Sequence, residues 1–129
     1  MEVVIITRSI VLQQGLSALI ESLPGMMNVK AIKELSNAYI WIESHRPNIV
    51  LLDVALLRSE IRIVLEKFQM ISPGTQRVLL VDDIQTINWV PEYAEAILIK
   101  GVSPSAVAAL LTNLLSSKGE ENEHKDSDQ

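Results

Sequence analysis

The chain alternates between short apolar runs and segments with helical spacing, and this alternation is the feature that most restricts its fold. Five runs have the length and composition of β-strands: residues 3–7, 29–32, 48–53, 77–82 and 96–100. Three of them are almost continuous Val, Ile and Leu, which is typical of parallel strands buried on both faces. Strands that alternate with helices indicate right-handed crossovers. We therefore predict an α/β fold, a five-stranded parallel sheet with helices on both faces.

The connecting segments support this prediction to different degrees. Four of them have apolar residues at helical spacing, and three of these four stop at or before a proline: Pro24, Pro47 and Pro73. The last one starts at Ser103 and Pro104, a favourable N-cap followed by a favourable first helical residue. The fourth connector, residues 83–91, is short and contains a proline near its end, so we expect only irregular helical turns there.

Composition excludes several classes of protein. The chain has 129 residues, 48% of them hydrophobic and 4% aromatic, which is enough for one aliphatic core. Cysteine is absent, which rules out disulfides and thiol catalysis and favours a cytoplasmic location. No apolar run reaches the length of a membrane span. A net charge of −5 argues against direct nucleic-acid binding.

The last twelve residues differ from the rest. Residues 118–129 include five acids and two bases and no apolar side chain, so we predict a disordered acidic tail after a domain of residues 1–117. The tail accounts for most of the net charge, because the first 117 residues have a net charge of only −2.

Polar residues follow the predicted strands where a functional crevice is expected. In doubly wound sheets that crevice lies at the carboxyl ends of the strands. Thr7 and Arg8 end the first run, Asp53 the third, Asp82 the fourth and Lys100 the fifth. Each of these residues alone is more simply explained as a polar end of a strand, but together they favour a site.

The ordered set of motifs resembles the receiver domain of two-component response regulators. The segments that resemble it are residues 8–20 with their Gln-Gly-Leu stretch, 47–53 with the phospho-accepting aspartate, and 96–104 with the lysine and the Ser-Pro helix start. The resemblance is closest to receivers that precede a LuxR-type helix-turn-helix, and it covers about residues 2–116. It implies a three-layer, flavodoxin-like (CheY-like) fold with strand order 2-1-3-4-5, and Asp53 in the place of the phosphoacceptor.

Three departures from the family put phosphoryl chemistry in doubt. Receivers usually have two adjacent acids after the first strand, which hold Mg²⁺, but here these positions are Thr7 and Arg8. The Ser or Thr that contacts the phosphoryl group is replaced by Asp82, and the aromatic switch residue by Ile97. We therefore expect no cofactor and very weak or no Mg²⁺ binding. As the charges of Arg8, Asp53, Asp82 and Lys100 cancel, we predict a self-neutralised site in which Arg8 pairs with Asp53 and Lys100 completes the cluster.

Two functions remain open. The first is a degenerate receiver, a non-enzymatic signalling module that acts through protein contacts. By resemblance, its face would be the fourth helix, fifth strand and fifth helix, about residues 84–116, with Val90 and Ile97 as candidates and a homodimer as one arrangement. The second is a working phosphoacceptor modified on Asp53 by a histidine kinase, as part of a DNA-binding transcriptional regulator or without one. A displaced metal site at Asp82 and Asp83 is a weaker hypothesis.

Overall fold

The five apolar runs form one parallel sheet. The computed structural model of the chain describes residues 1–25, 28–57, 61–83 and 94–127, and of residues 117–127 it describes the backbone. The strands are β1 (Glu2–Ile6), β2 (Asn28–Ile32), β3 (Ile49–Asp53), β4 (Gln76–Val81) and β5 (Ala96–Ile99). Their order in the sheet is β2-β1-β3-β4-β5, and each neighbouring pair is parallel. The predicted fold class and strand order are confirmed.

Four helices lie within the described residues. They are α1 (Ile10–Glu21), α2 (Leu35–His45), α3 (Ile61–Ile71) and α4 (Pro104–Ser127), and a short 3-10 turn, Val54–Leu56, follows β3. The predicted start of the last helix is confirmed, since the Ser103 hydroxyl accepts a hydrogen bond from the Ala106 N–H (3.3 Å). The fourth connector, including Trp89 and Val90, falls almost wholly outside the described residues.

The core consists of two aliphatic layers, one on each face of the sheet, because successive strand side chains point to opposite faces. Val4 and Ile6 of β1 belong to the cluster that includes residues of α2 and α3, whereas Val3 and Ile5 belong to the cluster that includes residues of α1 and α4. All four are fully buried. Burial on both faces explains why the strands are continuous apolar runs instead of alternating apolar and polar residues.

The last helix is longer than the sequence predicts. α4 continues to Ser127, so its backbone extends into the segment for which composition predicts a disordered tail. The domain boundary at residue 117 stays a prediction. Within the described ranges, no helix combines the length and apolar character that a membrane crossing needs.

Candidate functional site

Asp53 is the centre of the crevice at the carboxyl ends of the strands. It is the last residue of β3, and only 4% of its side chain is exposed. A carboxylate this buried needs partners, and Asp53 has three. The Thr7 hydroxyl donates to Oδ2 (2.7 Å), the Ala55 N–H donates to Oδ1 (3.0 Å), and the Lys100 ammonium lies 2.5 Å from Oδ1. Both carboxylate oxygens are therefore engaged.

The position of Lys100 follows from the turn after β5. The Lys100 N–H continues the strand pairing by donating to the Val81 carbonyl (2.8 Å), and Gly101 has a φ of +89°, which glycine adopts without steric cost. This turn leads directly into α4 and leaves the ammonium between two carboxylates. Besides Asp53, it lies 3.4 Å from Oδ1 of Asp82, whose side chain is 75% exposed. Asp82 thus forms the solvent edge of the cluster.

The ion pair shifts the pKa of both partners. Burial by itself would raise the pKa of Asp53, but hydrogen bonds from Lys100, Thr7 and Ala55 and the charge of Lys100 outweigh burial and hold that pKa below its usual value. For Lys100, burial would lower the pKa, but Asp53 and Asp82 outweigh it and raise the pKa above its usual value. Both groups are therefore charged at neutral pH.

Arg8 does not take the predicted place beside Asp53. Its guanidinium pairs with Glu34 (3.0 Å), which precedes α2, and the two side chains are 65% and 55% exposed. The strand β1 ends at Ile6, and the backbone bends at Arg8 before α1 begins. Thr7 contacts Asp53, whereas Arg8 reaches Glu34 at the start of α2. The predicted Arg8–Asp53 pair is wrong, and Lys100 with Thr7 satisfies the carboxylate instead.

The crevice does not fit Mg²⁺. That ion prefers carboxylates, water and phosphate oxygens in octahedral geometry. Of the two residues after β1, Thr7 has a hydroxyl that already donates a hydrogen bond to Asp53, and Arg8 has a guanidinium that pairs with Glu34. Within the described ranges, no group of three or more His, Asp or Glu side chains is placed to hold a metal ion. That the protein needs no cofactor stays a prediction.

The proposed interaction face is described only in part. Ile97 of β5 is half-buried and packs against the core cluster on the α2 and α3 side of the sheet. Val90, the other candidate, lies outside the described residues. The structure therefore leaves this face as a prediction.

An ion pair between a buried arginine and a partly exposed glutamate, at the amino ends of β4 and β5, was not anticipated. Arg77 of β4 is 4% exposed, and its guanidinium contacts Oε1 of Glu95 (2.7 Å) and the Thr75 carbonyl (3.0 Å). The sequence contains the signal for it, since a charged residue in an apolar strand run needs a partner. Glu95, immediately before the next run, is such a partner. The pair joins the amino ends of β4 and β5, whereas Asp53 lies at the carboxyl end of β3.

Comparisons with known proteins find similarity at the level of structure. No protein-family model matches the sequence, and no curated protein sequence matches it significantly. A receiver domain (CheY-like) from Methylobacillus flagellatus superposes with a TM-score of 0.76 at 11% identity, covering 88% of this chain and 97% of that one. The signal receiver domain of an HD domain-containing protein from Pseudomonas fluorescens Pf-5 gives 0.77 at 20% identity, covering 95% and 91%.

A third neighbour is a regulator of the LuxR type, which is the type that the sequence resembles. It is a LuxR family DNA-binding response regulator from Silicibacter pomeroyi, with a TM-score of 0.74 at 21% identity over 91% of this chain and 93% of that one. The chain has the fold of a response-regulator receiver domain. At these identities the likeness establishes the receiver fold, and function has to be argued from the crevice.

Proposed function

We propose that the chain is a degenerate receiver, which signals through protein contacts and does not depend on Mg²⁺-dependent phosphorylation of Asp53. The observation that supports this most is the engagement of both Asp53 oxygens by Thr7, Ala55 and Lys100. Each carboxylate oxygen has two lone pairs, so it can accept a hydrogen bond and still attack a phosphorus atom, but every such contact lowers its nucleophilicity. Here Oδ2 accepts from Thr7, and Oδ1 accepts from Ala55 and pairs with Lys100, so neither oxygen is free of a contact.

Charge in the crevice also opposes phosphoryl transfer. The transferred group is stabilised by metal ions and positive side chains as negative charge redistributes. Lys100 is the one cation that contacts Asp53 among the described residues, and Asp53 and Asp82 already neutralise it. The exposed Asp82 carboxylate adds negative charge at the entrance, which repels a phosphoryl dianion. We infer that the crevice holds one fixed arrangement that does not switch.

Signalling would then depend on the outer surface of the domain. We propose a protein partner at the face formed by the fourth connector, β5 and α4, about residues 84–116, with Ile97 and Val90 as candidate contacts. The neighbours include receivers of a DNA-binding regulator and of an HD domain-containing protein. By that similarity we propose a cytoplasmic, non-enzymatic regulatory domain that acts in signal transduction or transcription regulation and does not itself contact DNA.

One observation favours the alternative of a working phosphoacceptor. Asp53 ends β3 and contacts Lys100 across the crevice, which is the arrangement expected if a histidine kinase modifies Asp53 and Lys100 then binds a phosphoryl oxygen. In that case the chain would be the receiver part of a two-component regulator. The engagement of Asp53 and the loss of the acid pair make this the second choice.

Incubation with acetyl phosphate and Mg²⁺, followed by intact-mass measurement, separates the two functions. The proposal predicts no mass increase, under conditions in which a receiver with an intact acid pair, treated in parallel, is modified. An added phosphoryl mass that disappears in Asp53→Asn would overturn the proposal. A Mg²⁺ titration followed by tryptophan fluorescence gives an independent readout, and we expect no saturable change.

A further inference from the structure

An apolar cavity lies between α1 and the start of α4, next to the crevice. Its volume is about 280 Å³, and its lining includes Gly15 of α1 and Val107 of α4. The lining also includes Leu80 of β4 and Leu98 of β5, which are 1% and 7% exposed and belong to the core, and Val11, which is 82% exposed. The cavity therefore reaches from the surface of the domain down to the sheet.

The glycine in the α1 wall is not required by the backbone or by close packing. Gly15 is not among the glycines with positive φ, and a Cβ atom added to it would meet no atom within 4 Å. Glycine in the interior of a helix is also less favourable than alanine or leucine. Gly15 thus weakens α1 and leaves open a space that a larger side chain would fill.

The charges around the cavity restrict its ligand. Lys100 is the one ionisable side chain among the described residues that line it, and the others are aliphatic residues, glycine or proline. The Lys100 ammonium already lies between Asp53 and Asp82. An anionic ligand would have to compete with these two carboxylates, and a cationic ligand would be repelled by Lys100. The cavity therefore fits an uncharged molecule.

The volume of the cavity indicates the size of the ligand. An apolar cavity of roughly 150 Å³ can bind benzene, and the pockets that hold larger molecules begin near about 300 Å³. At about 280 Å³, this cavity accommodates a molecule of two or three rings. A concave site that is mostly apolar and reaches the core is typical of a small-molecule pocket.

We propose that the cavity binds a small, uncharged, aromatic or alicyclic molecule, which packs between α1, α4 and the sheet. Lys100 forms part of the lining, so the bound molecule contacts the residue that neutralises Asp53. Ligand binding would thus give a degenerate receiver a chemical input that needs no phosphorylation. The role as an input rests on the proposed function, whereas the binding site does not.

Titration of the full chain with N-phenylnaphthylamine tests the site. This dye is uncharged at neutral pH and becomes fluorescent in apolar surroundings. We expect saturable binding of one dye molecule per chain. We also expect the dye to raise the melting temperature, because a ligand that binds the folded state stabilises it.

Substitutions in α1 locate the bound dye. Gly15→Leu should weaken dye binding roughly tenfold or more, because the new side chain occupies the cavity. Gly15→Ala brings the same kind of gain in helix propensity but fills little of the space, so both variants should melt at a higher temperature and only Gly15→Ala should keep binding. Gln14→Leu is the matched control, since it adds a leucine at an exposed position outside the lining and should leave binding unchanged.

Competition with naphthol and naphthoate tests the preference for an uncharged ligand. The two molecules share one ring system, but naphthol is uncharged at neutral pH and naphthoate is an anion. Naphthol should displace the dye at a roughly tenfold lower concentration than naphthoate, because the carboxylate loses its hydration and finds Lys100 already paired.

Four results would overturn the proposal. They are the absence of saturable dye binding, binding that Gly15→Leu leaves unchanged, tighter binding of naphthoate than of naphthol, and a sedimenting oligomer that excludes the dye and that Gly15→Leu dissociates. The second result would place the dye on an exposed apolar surface, the third would assign an anionic ligand to Lys100, and the fourth would assign the cavity to a second chain. These readouts do not depend on the outcome of the acetyl phosphate test, so the two proposals can fail separately.

Discussion

At the scale of single residues, the crevice depends on Lys100 and Thr7. Both contact a carboxylate that is almost completely buried, one through charge and the other through a hydroxyl hydrogen bond. Removing one member of a buried pair is costly because the other charge is left without a partner. Arg8 has the same formal charge as Lys100, but its ion pair lies on the surface. Its loss should therefore cost less stability than the loss of Lys100.

Lys100→Ala should destabilise the fold by about 3 kcal/mol, because it leaves the Asp53 carboxylate buried with only neutral donors. Urea unfolding followed by circular dichroism measures the change. Lys33→Ala, which removes an exposed lysine before α2, is the matched control and should change stability by less than about 0.5 kcal/mol. Equal effects of the two substitutions would contradict the role assigned to Lys100.

Arg8→Ala should change the free energy of unfolding by about 0.5 kcal/mol or less, because both members of the Arg8–Glu34 pair are mostly exposed. Glu34→Ala should have a similarly small effect. This expectation differs from the sequence-based hypothesis of an Arg8–Asp53 pair, which predicts a large loss for Arg8→Ala. Unfolding curves of the two variants decide between them, and a large loss in Arg8→Ala alone would restore the earlier hypothesis.

The Lys100–Asp53 pair also predicts how stability depends on pH. A carboxyl with a lowered folded pKa contributes stability that is complete above its unfolded pKa, near 3.8, and is lost as pH falls through the folded pKa. A lysine with a raised folded pKa contributes stability that is complete below 10.5 and is lost as pH rises through the folded pKa. The stability difference between wild type and Asp53→Asn should therefore be constant from about pH 5 to 9 and should shrink outside that window. A difference that changes steeply near pH 7 would contradict these pKa directions.

At the scale of elements, the pairing of β4 with β5 depends on more than the apolar run. Glu95 precedes β5, and besides contacting the Arg77 guanidinium it accepts a hydrogen bond from the Arg77 N–H (2.5 Å) through Oε2. The Glu95 N–H in turn donates to the Arg77 carbonyl (2.8 Å). Side chain and backbone thus hold the beginnings of the two strands together.

Glu95→Ala should destabilise the fold by about 2–3 kcal/mol, because the buried Arg77 guanidinium loses its carboxylate. Glu66→Ala is the control, since Glu66 pairs with Arg62 one turn away on the exposed side of α3 and its loss should cost about 0.5 kcal/mol or less. Thermal unfolding of both variants measures the difference. If Glu95→Ala were no worse than Glu66→Ala, the pair would have no structural role.

At the scale of the whole molecule, the two aliphatic layers account for the stability of the domain, and the acidic C-terminal segment adds no described apolar contact. The part of α4 that packs on the sheet includes Val107 and Leu111, both of which belong to the core cluster. The residues after 117 have no apolar side chain to bury.

A chain shortened to residues 1–117 should melt within a few degrees of the full chain, because no apolar burial is removed. In the full chain, limited proteolysis should cut first beyond residue 117 if that segment is disordered as composition predicts. Resistance of the segment to protease, together with a clear loss of stability on truncation, would show that the helical end of α4 is part of the folded domain.

The sequence by itself determined the layers of the fold, the order of helices and strands along the chain, and which residues lie at the crevice. Apolar runs of strand length, helical periods and proline stops are local properties, and strand ends bring Thr7, Asp53, Asp82 and Lys100 to one edge of any parallel sheet of this topology. Only the tertiary structure decided which charges pair. Pairing depends on the direction of each side chain and on the turn after β5, which Gly101 shapes, so Lys100 reaches Asp53 while Arg8 turns to Glu34. An apolar cavity lined by Gly15 of α1 and Val107 of α4 likewise exists only because the fold places these two helices, which are far apart in sequence, side by side on one face of the sheet.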